Sequence, residues 1–196
     1  DDLLNPKWKG KIAIWDPRSG GGAALGIWSY LWLTKGEGYL RKLVAQNLQL
    51  VEDRRLVADS LARAKAAVAI GATYYSYAPF VKAGLPVRPL PPSKEGTYVS
   101  VGNGGPVVVK NHPHPNAVKV YINWLLSKEG QTFYSKEFGQ ATRRLDVDTM
   151  WMSEIGVRAA KDYISVDDFY KRNNALEEKD RTVRRPSLDF ARKILP

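Results

Sequence analysis

Three short runs, Ile12 to Trp15, Leu48 to Val51 and Ala67 to Ile70, are each followed by a turn signal and then a helical pattern, and this alternation restricts the fold more than anything else in the chain. The run Ala67, Val68, Ala69, Ile70 is apolar at every position, which reads as a strand buried on both faces and stopped by Gly71. KGKIAIWDP reads as a strand ended by Asp16-Pro17, and RSGGGAALGIWSYLWL as a Gly-rich turn opening a helix. Further helices are expected over Gly38 to Gln46, over Arg55 to Lys65 with Leu56, Leu61 and Ala64 turned inward, and over Ser76 to Lys82, where Gly84 and Pro86 end the pattern. Strands separated by helices at this spacing imply parallel pairing with helical crossovers, so the first 85 or so residues read as an α/β lobe.

Pro86 to Pro92 holds four prolines and reads as an extended connection. Beyond it, TYVSVGNGGPVVVKN reads as two short strands around a bend; Gly102, Gly104 and Gly105 lack the GK[ST] of a phosphate loop. In HPHPNAVKVYINWLLSKEGQ, Asn116 is a suitable N-cap, and Val118, Tyr121, Ile122, Leu125 and Leu126 form the stripe of a helix lying on a core. The tail is more polar: Ser165 with Asp168 resembles a capping box, Ser187 a cap for a last short helix, and the whole reads as helices wrapping the α/β part. The organisation expected is therefore 1–100 as one α/β lobe, 101–145 as a strand with helices of another, and 146–196 as a helical tail on the lobes.

Several classes are disfavoured by composition. With 196 residues and 44% apolar content the chain can bury a core. It has no run of 18 apolar residues, and no cysteine for disulfides, thiolate metal sites or nucleophiles. A cysteine-free chain suits a reducing compartment or an envelope protein equally. The formal charge of +10 is spread out, with 14 Lys/Arg against 8 Asp/Glu in residues 1–100 and 16 against 12 in 101–196. Only RTVRR at 181–185 clusters, so a mildly basic surface is expected first, attraction of an anionic ligand second, and no nucleic acid. Trp28 and Trp32, four apart on a helix, pack inward. No G-x-S-x-G, Walker or metal-hydrolase motif argues for an enzyme; His112 and His114 read as a rigid turn, and Asp146, Asp148, Asp167 and Asp168 as caps or surface charges.

The residues that do suggest chemistry gather at the ends of the expected strands, where α/β proteins hold ligands. Ser19-Gly20-Gly21 opens a helix; glycine lets the backbone approach, free N–H groups point outward, and the helix dipole favours an anion by about 0.3–1 kcal/mol. Arg18, Arg54 and Arg55 can add bidentate contacts to a carboxylate or phosphate. Tyr74, Tyr75 and Tyr77 follow the third strand and can wall a pocket for an organic ligand or serve only in packing.

Taken in order, WKGKIAIWDP-RSGGGA, AAVAIGATYYSY, AGLPV and HPNAVKVYINWLLSKEGQ resemble the solute-binding proteins of bacterial ABC importers, in the cluster that includes ferric-ion binders. The resemblance covers roughly residues 3–145. It implies a type II periplasmic-binding fold, two α/β lobes joined by crossing strands, with ligand held between them and passed to a membrane permease. It further implies a signal peptide and most of a first lobe ahead of Asp1, a periplasmic location, a monomer, no catalysis, and residues 101–145 as the returning strand and helix of the first lobe. The family's ferric binders carry a tyrosine pair where Tyr74 and Tyr75 stand; two phenolates at neutral pH need a hard trication such as Fe3+. Ferric ion with an anion, or a small organic anion, are both left open as the solute. The other classes are an effector-sensing domain of a transcription regulator and an enzyme on a similar α/β fold.

Overall fold

The protein is described by a computed structural model covering residues 2–19, 22–90, 106–142, 144–155, 165, 167 and 180–196. The chain divides into two compact units, Asp1–Arg88 with Val166–Pro196, and Pro89–Ser165.

The first unit is built on a parallel sheet of three strands in the order β2-β1-β3. Strand β1 spans Ile12–Trp15, β2 Gln49–Val51 and β3 Val68–Ile70. In register, Ala13 faces Gln49 on one side and Ala69 on the other, so β1 is central. All of Ile12 to Trp15 is buried, as a strand covered on both faces requires. Helices α1 (Gly22–Val44), α2 (Arg54–Ala62) and α3 (Tyr74–Lys82) follow the three strands in turn. The α/β reading of the sequence therefore holds, with the parallel sheet flanked by helices.

Where a sequence pattern and a packed element disagree, packing decides. The two helices expected between β1 and β2 are present within α1, separated by a kink at Gly36, whose φ of 76° and ψ of 172° are open to glycine alone. On α2 the buried residues are Val57 and Ala58, while Leu56 is exposed and Ala64 lies past the helix end at φ 54°. The inward face is thus turned from the Leu56–Leu61–Ala64 line expected, and α2 starts one residue early at the Asp53 cap, which accepts the Arg55 N–H at 2.6 Å. Helix α3 begins at Tyr74 rather than Ser76, so the tyrosines lie in its first turns.

The main core gathers Ile12, Ile14, Trp28, Leu40, Leu43 and Val68 with Phe190, Ala191 and Leu195. Phe190 and Ala191 belong to a helix at the chain's far end, α6 (Arg185–Ile194), which packs on α1, and Leu195 is the C-cap of that helix. Ser187 is not its cap. It is fully buried inside α6, where its hydroxyl lies 2.7 Å from that of Ser29 and its carbonyl accepts the Trp28 indole N–H at 2.9 Å. Trp28 is itself fully buried, as its spacing implied, and Trp32 packs against the same core.

In the second unit, α4 (Pro115–Leu126) and α5 (Lys128–Phe138) meet at Ser127, which ends one helix and caps the other by accepting the Gly130 N–H at 3.0 Å. The α4 cap is His114 rather than Asn116, since Pro115 occupies the first helical position. No residue of α4 is fully buried; of the stripe expected to lie on a core, Val118, Ile122 and Leu125 are half-buried and Tyr121 and Leu126 exposed. The strand expected at 107–109 is not formed; Val107, Val108 and Val109 are exposed with no neighbouring strand among the described residues. The other strand of that pair, the bend at Gly102, Gly104 and Gly105, and the Ser165–Asp168 capping box fall wholly or partly outside the described residues. Asp146 pairs with Arg144 at 2.7 Å, and Asp148 accepts the Met150 N–H at 2.8 Å; both roles are the surface and capping roles read from sequence.

Candidate functional site

Parallel strands bring their C-terminal ends to one edge of the sheet, and the loops leaving that edge carry the first unit's candidate residues. The edge is tied together before any ligand is considered. The Asp16 N–H continues the ladder to the Val51 carbonyl at 2.8 Å, and the Trp15 indole N–H donates to the Glu52 carbonyl at 3.1 Å. Gly71, at φ 95°, ends β3 so close to β1 that a Cβ there would stand 3.2 Å from that of Trp15. A side chain would push these strand ends apart.

After β1, the loop is organised by a residue that sequence reasoning passed over. Asp16 is buried, and its carboxylate takes both the Arg18 backbone N–H at 2.8 Å and a two-pronged contact from the Arg18 guanidinium, Nε at 3.0 Å and Nη2 at 2.8 Å. Burial raises the Asp16 pKa, but the hydrogen bonds and charge of Arg18 outweigh it and leave the carboxyl below its ordinary value. Arg18 also donates to the Pro196 carbonyl at 2.8 Å. The Ser19 hydroxyl closes the turn by donating to the Asp16 carbonyl at 2.7 Å. Gly20 and Gly21 lie outside the described residues. The signal for Asp16 was present: an aspartate two residues before an arginine N–H forms a local turn bond, but Asp-Pro was read only as a strand stop.

After β2, Asp53 caps α2 and presents Arg54 and Arg55 at its first turn. Arg55 is exposed. Arg54 is half-buried and its guanidinium lies over the Tyr75 ring, 4.8 Å from the centroid. No hydrogen bond or ion pair engages it among the described residues. A guanidinium stacked on a ring keeps its in-plane N–H fork open, which is the geometry that accepts a carboxylate or phosphate.

After β3, the Thr73–Ser76 pair closes the start of α3. The Ser76 hydroxyl accepts the Thr73 N–H at 3.1 Å and donates to the Thr73 carbonyl at 2.7 Å. Tyr74 and Tyr75 are successive helical residues and so face different ways. Tyr75 meets Arg54; Tyr74 meets Tyr77 edge-on, with centroids 5.6 Å apart. Tyr77 is buried, and burial, helped by Tyr74, pushes its pKa up to about 12, so its phenol stays neutral at physiological pH. The structure therefore joins Arg54 to Tyr75 and Tyr74 to Tyr77, and engages Arg18 with Asp16.

The model of a family described as bacterial extracellular solute-binding protein matches residues 1–138. An uncharacterized protein of Haemophilus influenzae strain Rd is 31% identical over 139 residues, which make up 69% of this chain and 39% of that protein. The matched stretch thus spans about two fifths of the relative's length. Among the described residues no helix is long and apolar enough to cross a membrane. The chain belongs to the bacterial extracellular solute-binding protein family.

Proposed function

We propose that the protein is the non-catalytic, extracytoplasmic solute-binding component of an ABC-type importer, and that its solute is a small organic anion held at the C-terminal edge of the β2-β1-β3 sheet. The reading rests on one observation above the rest: the Arg54 guanidinium stacked on Tyr75 with no counter-ion among the described residues. Around it stand the first turns of α2 and α3, whose helix dipoles add to the attraction for an anion. Tyr75 and Tyr74 supply aromatic wall, and Ser19 and Arg55 stand on the neighbouring loops of the same edge. In the type II, two-lobed arrangement, a second lobe of the full-length polypeptide closes over this edge and the loaded protein docks on its permease as a monomer.

The same observation weighs against ferric ion. A guanidinium beside the Tyr75 ring repels a trication, and Tyr74 and Tyr75 are directed at different neighbours. Replacing Arg54 with glutamine removes a charge-assisted contact worth about 1.5–3 kcal/mol, so affinity for the bound carboxylate or phosphonate falls about 10- to 100-fold. Isothermal titration of the wild type and of Arg54→Gln with anions selected by a thermal-shift panel measures it. Equal affinities would remove Arg54 from the site, and a visible tyrosinate-to-iron band on titration with ferric citrate would replace the anion with iron.

A further inference from the structure

Arg54 and Tyr75 stand after different strands, β2 and β3, so a stack between them requires a fixed spacing of the two loops. Trp15, at the end of the central strand, touches both loops. Its indole N–H donates to the carbonyl of Glu52, two residues ahead of Arg54, at 3.1 Å. Its Cβ lies so close to Gly71 that a Cβ there would stand 3.2 Å away, and Gly71 opens the loop that leads to Tyr75. Side chains alternate across a strand, so Ile12 and Ile14 enter the main core while Trp15 packs on the other face. There it is clustered with Ala24, Val51, Val57, Ala69 and Ala72. These neighbours are all alanine or valine, which makes the buried indole the large body of that layer. Val57 lies one turn beyond Arg54 on the same side of α2, and Ala72 precedes Tyr75 by three residues. The bulk of Trp15 therefore stands between the start of α2 and the start of α3.

We infer that Trp15 is a positioning residue for the anion site: its indole holds the β2 and β3 loops at the separation that lays the Arg54 guanidinium on Tyr75. Both parts of the side chain are needed. The N–H fixes the direction of the Glu52 peptide, and with it the path of the chain into Arg54. The ring fixes the distance, because the alanines and valines around it cannot fill its place and the layer would settle inward without it. That the stack serves an anion rests on the reading of Arg54 above, whereas the stack itself is measured without one, so the two fail separately.

The test is the Arg54 Nε–H resonance in a two-dimensional NMR spectrum of the 196-residue chain without ligand. In the wild type the Tyr75 ring current displaces this signal, and Tyr75→Leu abolishes the displacement. Trp15→Phe is expected to remove at least half of it, and to weaken binding of citrate as the probe anion about 3- to 10-fold, the worth of one hydrogen bond. Leu43→Ala destabilises the main core instead and leaves the displacement intact, which separates positioning from a general loss of stability. Should Trp15→Phe fail to fold, benzothienylalanine at position 15 keeps the shape of the indole, removes the N–H, and is expected to reduce the displacement too. A full displacement in either Trp15 variant overturns the inference, as does an equal loss in Leu43→Ala or a wild-type signal that Tyr75→Leu does not move. A signal that moves as expected in a protein that binds no citrate supports the positioning role and counts against the anion reading alone.

Discussion

Asp16 shows how one residue sets what the residues around it can do. By holding Arg18 in a two-pronged pair it takes the first of the candidate cations out of play and leaves Arg54 as the stacked, open one. Its folded-state pKa is depressed, so the stability it contributes is present above the ordinary carboxylate pKa near 4 and is lost as pH falls through the lower folded value. Asp16→Asn is expected to lower stability at pH 7 by about 1–3 kcal/mol, at roughly 2–4 °C of Tm per kcal/mol, and to flatten the fall in Tm below pH 4. Thermal melts of both proteins from pH 7 to pH 2 check it; parallel curves would mean the pair contributes nothing. At this scale the sequence was only partly legible. Arg54 and Tyr75 could be named from their types and places, but their pairing could not, because it depends on how two loops from separate strands approach each other.

Elements were more legible than contacts. Ile12 to Trp15 and Gln49 to Val51 were read nearly to the residue, since an apolar run bounded by turn signals leaves few alternatives. Faces were less so: on the nine-residue α2 the buried residues are Val57 and Ala58, because the packing of a short helix decides which residues point inward. The α4 stripe was expected to lie on a core, but none of it is fully buried, since periodicity tells which face is apolar and says nothing of what covers it. Between α4 and α5, Gly130 carries the join, because a Cβ there would overlap the Trp124 carbonyl oxygen. Gly130→Ala is expected to force the helices apart and destabilise them by about 1–3 kcal/mol. Hydrogen exchange of amides 115–138 should quicken in that variant while amides of 12–15 stay unchanged; unaltered exchange at 115–138 would show that the junction absorbs the methyl group.

For the molecule as a whole, alternation of strand and helix was the legible part, and it was sufficient to reach an α/β unit with a parallel sheet. The tail was expected to wrap the α/β part, but the partners of α6 were not legible, since nothing near Ser187 announces that they are Trp28 and Ser29, more than 150 residues earlier. The net charge of +10 was read first as a mildly basic surface and only second as attraction for an anion, and it places no site; the sheet edge is the site proposed above. The measurement that bears most directly on this account is a two-dimensional amide NMR titration of the protein with an anion found by the thermal-shift panel. The account predicts shifts concentrated at Ser19, Arg54, Arg55, Tyr74 and Tyr75, saturating together and absent in Arg54→Gln. Saturable shifts located elsewhere, or unchanged in Arg54→Gln, would contradict it.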